Sequence, residues 1–119
     1  MKSSHEKLLI RPATKDDIGV IIAIARQTWP VAYKDILSPR ALNYMLDHFY
    51  SPAALASQMD KGQQFFIAQL AGEYPGFASL GDLQNGTWKL YKLYVLPQYQ
   101  KTGAGAALML HAIDFVRAH

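Results

Sequence analysis

The sequence predicts an α+β domain, a largely antiparallel sheet flanked by helices, with residues 1–119 forming one unit. Three observations carry that expectation. Apolar residues recur at helical spacing in the first half, ahead of Gly62. Three strand-like runs then follow one another through short turns, and an Ala/Leu-rich helical stretch comes last. Strands joined by tight turns pair antiparallel, whereas parallel neighbours need long crossovers. The order is not a βαβ series.

Each element has its own signal. Leu8–Arg11 reads as a short strand ended by Pro12. Thr14 is a helix N-cap with Asp17 three residues on, close to a capping box. Ile18, Ile21, Ile22 and Ala25 then form one apolar face of a helix expected to end before Trp29-Pro30. After a loop through Tyr33 and Asp35, Ser38-Pro39 pairs an N-cap with proline at the first helical position. Leu42, Met45, Leu46 and Phe49 give that second helix its face. Ser51-Pro52 starts a short third helix that runs to about Lys61 and stops at Gly62.

The strands come next. Gln64–Leu70 and Tyr74–Leu80 are joined by the turn Ala71-Gly72-Glu73. Asp82–Gly86, containing Asn85-Gly86, leads into Thr87–Leu96, a long run rich in aromatic and apolar residues. Pro97 closes that run because it cannot donate to a ladder. From Gly103 a last helix is expected, with Met109, Ala112, Ile113 and Val116 in register and Leu108 and Phe115 beside them.

Composition narrows the functional classes. Half of the 119 residues are hydrophobic and 18% are charged, enough to build a core and unlike a disordered chain. No apolar stretch approaches the ~18–20 residues of a membrane span. Met1–Lys7 is polar with no apolar run behind it, so no secretory leader is read there, and a cytoplasmic location is expected. The absence of cysteine removes disulfides, thiolate metal sites and thiol nucleophiles. The charge of +3 and a pI near 9.2 suit a polyanionic ligand, but the lysines are scattered, which argues against nucleic acid.

His5, His48, His111 and His119 show no metal-ligand spacing, so no metal is expected, and His111 reads as a half-buried, hydrogen-bonded packing residue. No serine sits in a G-x-S-x-G elbow, so a hydrolase has no support.

One segment carries chemistry: Leu93-Tyr94-Val95-Leu96-Pro97-Gln98-Tyr99-Gln100-Lys101-Thr102-Gly103-Ala104-Gly105-Ala106. A strand runs into a polar loop that opens a helix bearing two glycines at its start. Helix N-termini offer unpaired N–H groups and a positive dipole end, and glycine lets a bulky anion reach the backbone. Lys101 adds charge. The segment is a candidate cradle for phosphate or diphosphate. A P-loop sequence is absent, and a dinucleotide fingerprint fails because Leu108 stands at its third glycine and only 11 residues follow.

The spacing Gln100-x-x-Gly103-x-Gly105 after Leu-Tyr-Val-Leu-Pro resembles the acetyl-CoA motif [QR]-x-x-G-x-[GA] of the GCN5-related N-acetyltransferase (GNAT) superfamily. The first strand Ile10-Arg11-Pro12-Ala13 and the acidic helix start behind it agree with that family. Tyr44-Met45-Leu46, Tyr50-Ser51-Pro52 and Gln58-Met59 look like its polyamine acetyltransferase branch.

The resemblance implies direct attack of a small-molecule primary amine on the acetyl-CoA thioester. It implies that the main chain of Leu93, Tyr94 and Val95 pairs with the pantetheine arm. The Val95 N–H would be the donor to the developing oxyanion. Residues Gln100, Lys101, Thr102, Gly103, Ala104, Gly105 and Ala106 would hold the diphosphate, chiefly through the backbone. Trp29, Tyr33 and Asp35 would line the acceptor end.

The family often carries a glutamate base near the start of the long strand; here Lys89 stands in that place. Glu73, Asp82 and Asp47 remain as base candidates, with Glu73 foremost. Against the family module, the strand and helix that follow the last helix here are expected to be missing. Thr87–Leu96 would then be an open edge suited to pairing with a second copy. Two alternatives to the enzyme stay open: a domain that holds CoA without turnover, and a basic nucleic-acid module.

Overall fold

The computed structural model describes residues 7–119; His5 and the polar residues ahead of Lys7 lie outside that range. β1 (Leu9–Pro12) is followed by a single 3-10 turn at Lys15–Asp17 that runs directly into α1 (Ile18–Ala32). The expected cap is there. Thr14 Oγ1 accepts the Asp16 N–H at 3.3 Å, and Asp17 Oδ2 accepts the Thr14 N–H at 2.8 Å. Asp17 also takes a bidentate contact from the Arg11 guanidinium at 2.8 and 2.9 Å, which ties the helix entrance back to β1.

α1 continues through Trp29-Pro30, where the sequence predicted its end. Pro30 lies in the last turn, so its missing N–H removes only the bond to the Arg26 carbonyl. Burial of the Trp29 ring against Tyr33 and Tyr50 holds the turn in place. The helix closes with the Tyr33 N–H on the Trp29 carbonyl at 2.9 Å.

α2 (Pro39–Phe49) and α3 (Pro52–Asp60) start as predicted, with Ser38 and Ser51 accepting the amides of Ala41 and Ala54. Phe49 departs from the predicted face: it is 40% exposed, while Tyr50 is buried. The chain leaves the helix at Tyr50, with φ −126°, and that turn swings its ring into the core.

β2 (Gln64–Gln69), β3 (Gly76–Asp82) and β4 (Trp88–Val95) complete a four-stranded sheet in the order β1-β2-β3-β4, every pair antiparallel. β3 opens at Gly76 and not at Tyr74. Pro75 has no N–H to give, and a Cβ on residue 76 would collide with the Tyr94 carbonyl oxygen, so only glycine permits the pairing.

Side chains alternate between two covered faces. Phe65, Ile67 and Phe77 pack against α1–α3 through Ile21, Ile24, Leu46, Tyr50 and Leu55. Phe66, Ala68, Ala78 and Leu80 pack against α4 (Ala104–Ala118) through Leu108 and Ala112. The buried face of α4 is Ala104, Leu108 and Ala112 with Phe115 beside it, whereas Ile113 is 38% exposed. Ala104 and Ala112 carry only a methyl group, so the helix approaches the sheet along that row. His111 sits half-buried with its ring edge-on to Phe66 at 4.8 Å, so it packs as expected, but the hydrogen bond expected of it is not made among the described residues.

β4 ends the sheet. Its inner side pairs with β3, and no described strand pairs with its outer side.

Candidate active site

The site grows from the corner where β4 passes into α4. The pairing register places Gly76 opposite Val95 and Phe77 opposite Tyr94. Beyond the strand, the Leu96 N–H donates to the Pro75 carbonyl at 2.8 Å. Successive N–H groups of a strand alternate in direction. The Leu96 and Tyr94 amides therefore face β3, and those of Val95 and Leu93 face the open edge. The structure thus presents two of the three backbone positions named for pantetheine pairing, Leu93 and Val95. The Tyr94 amide is used within the sheet.

Past Val95, a 3-10 turn at Pro97–Tyr99 leads to the loop. The Tyr99 carbonyl accepts both the Thr102 N–H at 3.1 Å and the Thr102 hydroxyl at 2.6 Å. Gln100 turns its side-chain amide onto the Val95 carbonyl at 3.4 Å. Gly103 follows at φ +86°, a left-handed conformation that costs an ordinary residue ~1–2 kcal/mol. The first intrahelical bond runs from the Ala107 N–H to the Gly103 carbonyl at 2.9 Å.

Among the described residues, the amides of Lys101, Gly103, Ala104, Gly105 and Ala106 have no hydrogen-bond partner. This is the donor set a diphosphate needs, at the positive end of a fifteen-residue helix and beside the exposed Lys101. Gly105 keeps the surface bare: a Cβ there would reach 3.6 Å from Val95 Cγ2, an ordinary contact, on the side shared with the strand.

On the α1 side of β4, the Tyr94 hydroxyl meets that of Tyr33 at 2.9 Å. The Trp29 ring lies 4.8 Å from Tyr33 and 6.1 Å from Tyr94, centroid to centroid. The Trp29 indole N–H is buried and has no hydrogen-bond partner among the described residues. Burial raises the phenol pKa values of Tyr50 and Tyr94, so both remain protonated donors. Two of the three predicted acceptor-end residues, Trp29 and Tyr33, are thus brought to β4. Asp35 lies in the exposed turn after α1, away from this cluster's hydrogen bonds.

The base candidates are each engaged elsewhere. Asp47 pairs with Arg26 at 2.7 Å, and Asp82 Oδ1 accepts the Gln84 N–H at 2.8 Å. Glu73 Oε1 accepts the Tyr99 hydroxyl at 2.6 Å. Lys89 points its ammonium over the exposed Tyr91 ring at 4.8 Å. Tyr91 is the extra residue of a β-bulge, where the register against Ser79 and Leu80 shifts.

Sequence reasoning missed the side chains of Tyr94, Tyr99 and Lys92. Only Tyr99 had a local signal, as an aromatic residue inside a polar loop.

The fold and this corner define a class. A family model described as an acetyltransferase (GNAT) domain matches residues 33–119, and the chain belongs to that family. An N-acetyltransferase of Mycobacterium tuberculosis described as uncharacterized is 33% identical over 94 residues, covering 78% of this chain and 60% of that protein. The spermidine N(1)-acetyltransferase of Thermoplasma acidophilum is 26% identical over 108 residues, covering 87% of this chain and 66% of that protein.

Among solved structures, the PaiA N-acetyltransferase of Thermoplasma acidophilum, in complex with coenzyme A, superimposes with a TM-score of 0.86 at 23% identity. That match covers 94% of this chain and 73% of the other. A GCN5-related N-acetyltransferase from Rhodopseudomonas palustris gives 0.74 at 26% identity, covering 99% and 69%. The sheet and its four helices therefore have the acyl-CoA N-acyltransferase fold. The chain spans roughly 60–66% of the length of the curated relatives it matches.

Proposed function

We propose that this chain is the acetyl-CoA-binding part of an N-acetyltransferase that acetylates a primary amine of a small molecule. The observation that carries the reading is the set of free amides at Lys101, Gly103, Ala104, Gly105 and Ala106 beside the outward-facing Val95 N–H. The donor set fits the ligand. Five N–H groups and Lys101 would hold the diphosphate, and Leu93 and Val95 would pair with the pantetheine amides as an added strand does.

When bound, acetyl-CoA supplies an activated acetyl group. The Val95 N–H is oriented to donate to the thioester oxygen as charge builds on it, the usual means of stabilising acyl transfer. Trp29 and Tyr33 would wall the acceptor end, with the Tyr94 phenol, kept protonated by burial, as a donor. An alkylamine with a pKa near ~10.4 must shed a proton before it attacks. With Lys89 in the place of the family's glutamate, we take that proton to leave through water. Likeness to a spermidine acetyltransferase supports a polyamine acceptor, and a cytoplasmic setting accords with the cysteine-free sequence.

A second reading is CoA binding without turnover, favoured by Lys89 in the place of the family's glutamate. A thiol-release assay with acetyl-CoA over a panel of polyamines, alkylamines and amino acids separates the two. The proposal expects thiol release that depends on the amine. CoA binding with no release under any amine would support the second reading.

A further inference from the structure

A single hydrogen bond ties the exposed Glu73 side chain to the β4–α4 corner. Glu73 closes a two-residue turn in which Ala71 and Gly72 take φ +52° and +80°, the geometry that joins twisted antiparallel strands. Reciprocal bonds seal the turn: the Leu70 N–H to the Glu73 carbonyl at 3.0 Å, and the Glu73 N–H to the Leu70 carbonyl at 2.9 Å. The side chain therefore stands on a rigid mount at the end of the β2–β3 hairpin. From there it accepts the Tyr99 hydroxyl at 2.6 Å, at the short end of the O–H···O range. That bond raises the Tyr99 pKa, with burial adding to it, so the phenol stays a donor.

Tyr99 is the hub of the loop. It is buried, its N–H donates to the Leu96 carbonyl at 2.9 Å, and its carbonyl takes both donors of Thr102. Thr102 immediately precedes left-handed Gly103 and lies between the unpaired amides of Lys101 and Gly103. The hairpin end thus grips the loop twice, at Pro75–Leu96 through the backbone and at Glu73–Tyr99 through side chains.

We infer that Glu73 is a positioning residue for the diphosphate cradle, holding the Gln100–Ala106 backbone in register through Tyr99. This rests on the reading of that backbone as the CoA site.

Calorimetry with CoA, and with pantetheine, which lacks the diphosphate, tests it on the parent, Glu73→Ala, Glu73→Gln and Tyr99→Phe. Glu73→Ala and Tyr99→Phe should each weaken CoA about tenfold while leaving pantetheine nearly unaffected. Glu73→Gln keeps an acceptor oxygen and should restore CoA affinity to within about threefold of the parent. A purely structural role would weaken both ligands together and would overturn the inference. So would unchanged CoA affinity in Glu73→Ala, or loss of turnover in Glu73→Gln with CoA affinity intact, which would mark a base. A parent that binds no CoA would overturn the cradle reading itself, and this inference with it.

Discussion

Lys92 is a half-buried cation for which the described residues provide no carboxylate. Its ammonium donates to Gln58 Oε1 at 2.9 Å and Gln63 Oε1 at 3.4 Å, and it lies 5.7 and 5.5 Å from the rings of Tyr50 and Phe65. Burial pulls its pKa down to about 8. The unfolded chain keeps that proton up to the ordinary value of 10.5, so between the two values the unfolded state binds more protons. Stability must then rise with pH across that window. Lys92→Met should be more stable than the parent at pH 7, by on the order of 1 kcal/mol. The margin should shrink as pH climbs from 8 towards 10.5 in urea denaturation. A margin that ignores pH would contradict the assigned burial.

None of this was legible in the sequence, because the partners of Lys92 lie 34 and 29 residues away. The Tyr33–Tyr94 pair spans 61 positions and was equally hidden. The free amides of Lys101, Gly103, Ala104, Gly105 and Ala106 were legible because unpaired backbone donors at a loop-to-helix junction need only glycine spacing and a helix start.

At the scale of elements, the entrance to α1 shows what a sequence signal captures and what it omits. Thr14-x-x-Asp17 announced the cap, but nothing local announced that the same carboxylate would take the Arg11 guanidinium. Asp17 is buried, and the Arg11 hydrogen bonds hold its carboxyl below the ordinary carboxylate range. A lowered folded-state pKa contributes stability that is present above the unfolded value, and that stability is lost as pH falls through the folded one. Asp17→Ala strips a partner from both Arg11 and the Thr14 amide. It should lower stability by about 2–3 kcal/mol at pH 7, read from the urea midpoint. The deficit should narrow in acid, where the parent's own carboxyl is protonated; a variant as stable as its parent at neutral pH would contradict this. The end of α1 was misread for a related reason: proline is a local signal, and the aromatic packing that keeps the Trp29-Pro30 turn helical comes from α2 and β4.

Across the whole molecule, the sheet divides two helical layers and brings its last strand and its last helix to one corner. Strand order was legible because each β2–β3–β4 connection is a short turn. Which atoms face the open edge was not, since that depends on the register set by Pro75 and Gly76. The central claim is that this corner grips the diphosphate of CoA through main-chain amides. An ¹⁵N-labelled chain titrated with CoA tests it most directly. The account predicts the largest amide shifts at Lys101, Gly103, Ala104, Gly105 and Ala106, with Val95 and Leu93 following. Saturable shifts confined to other parts of the chain, with these amides unmoved, would contradict it.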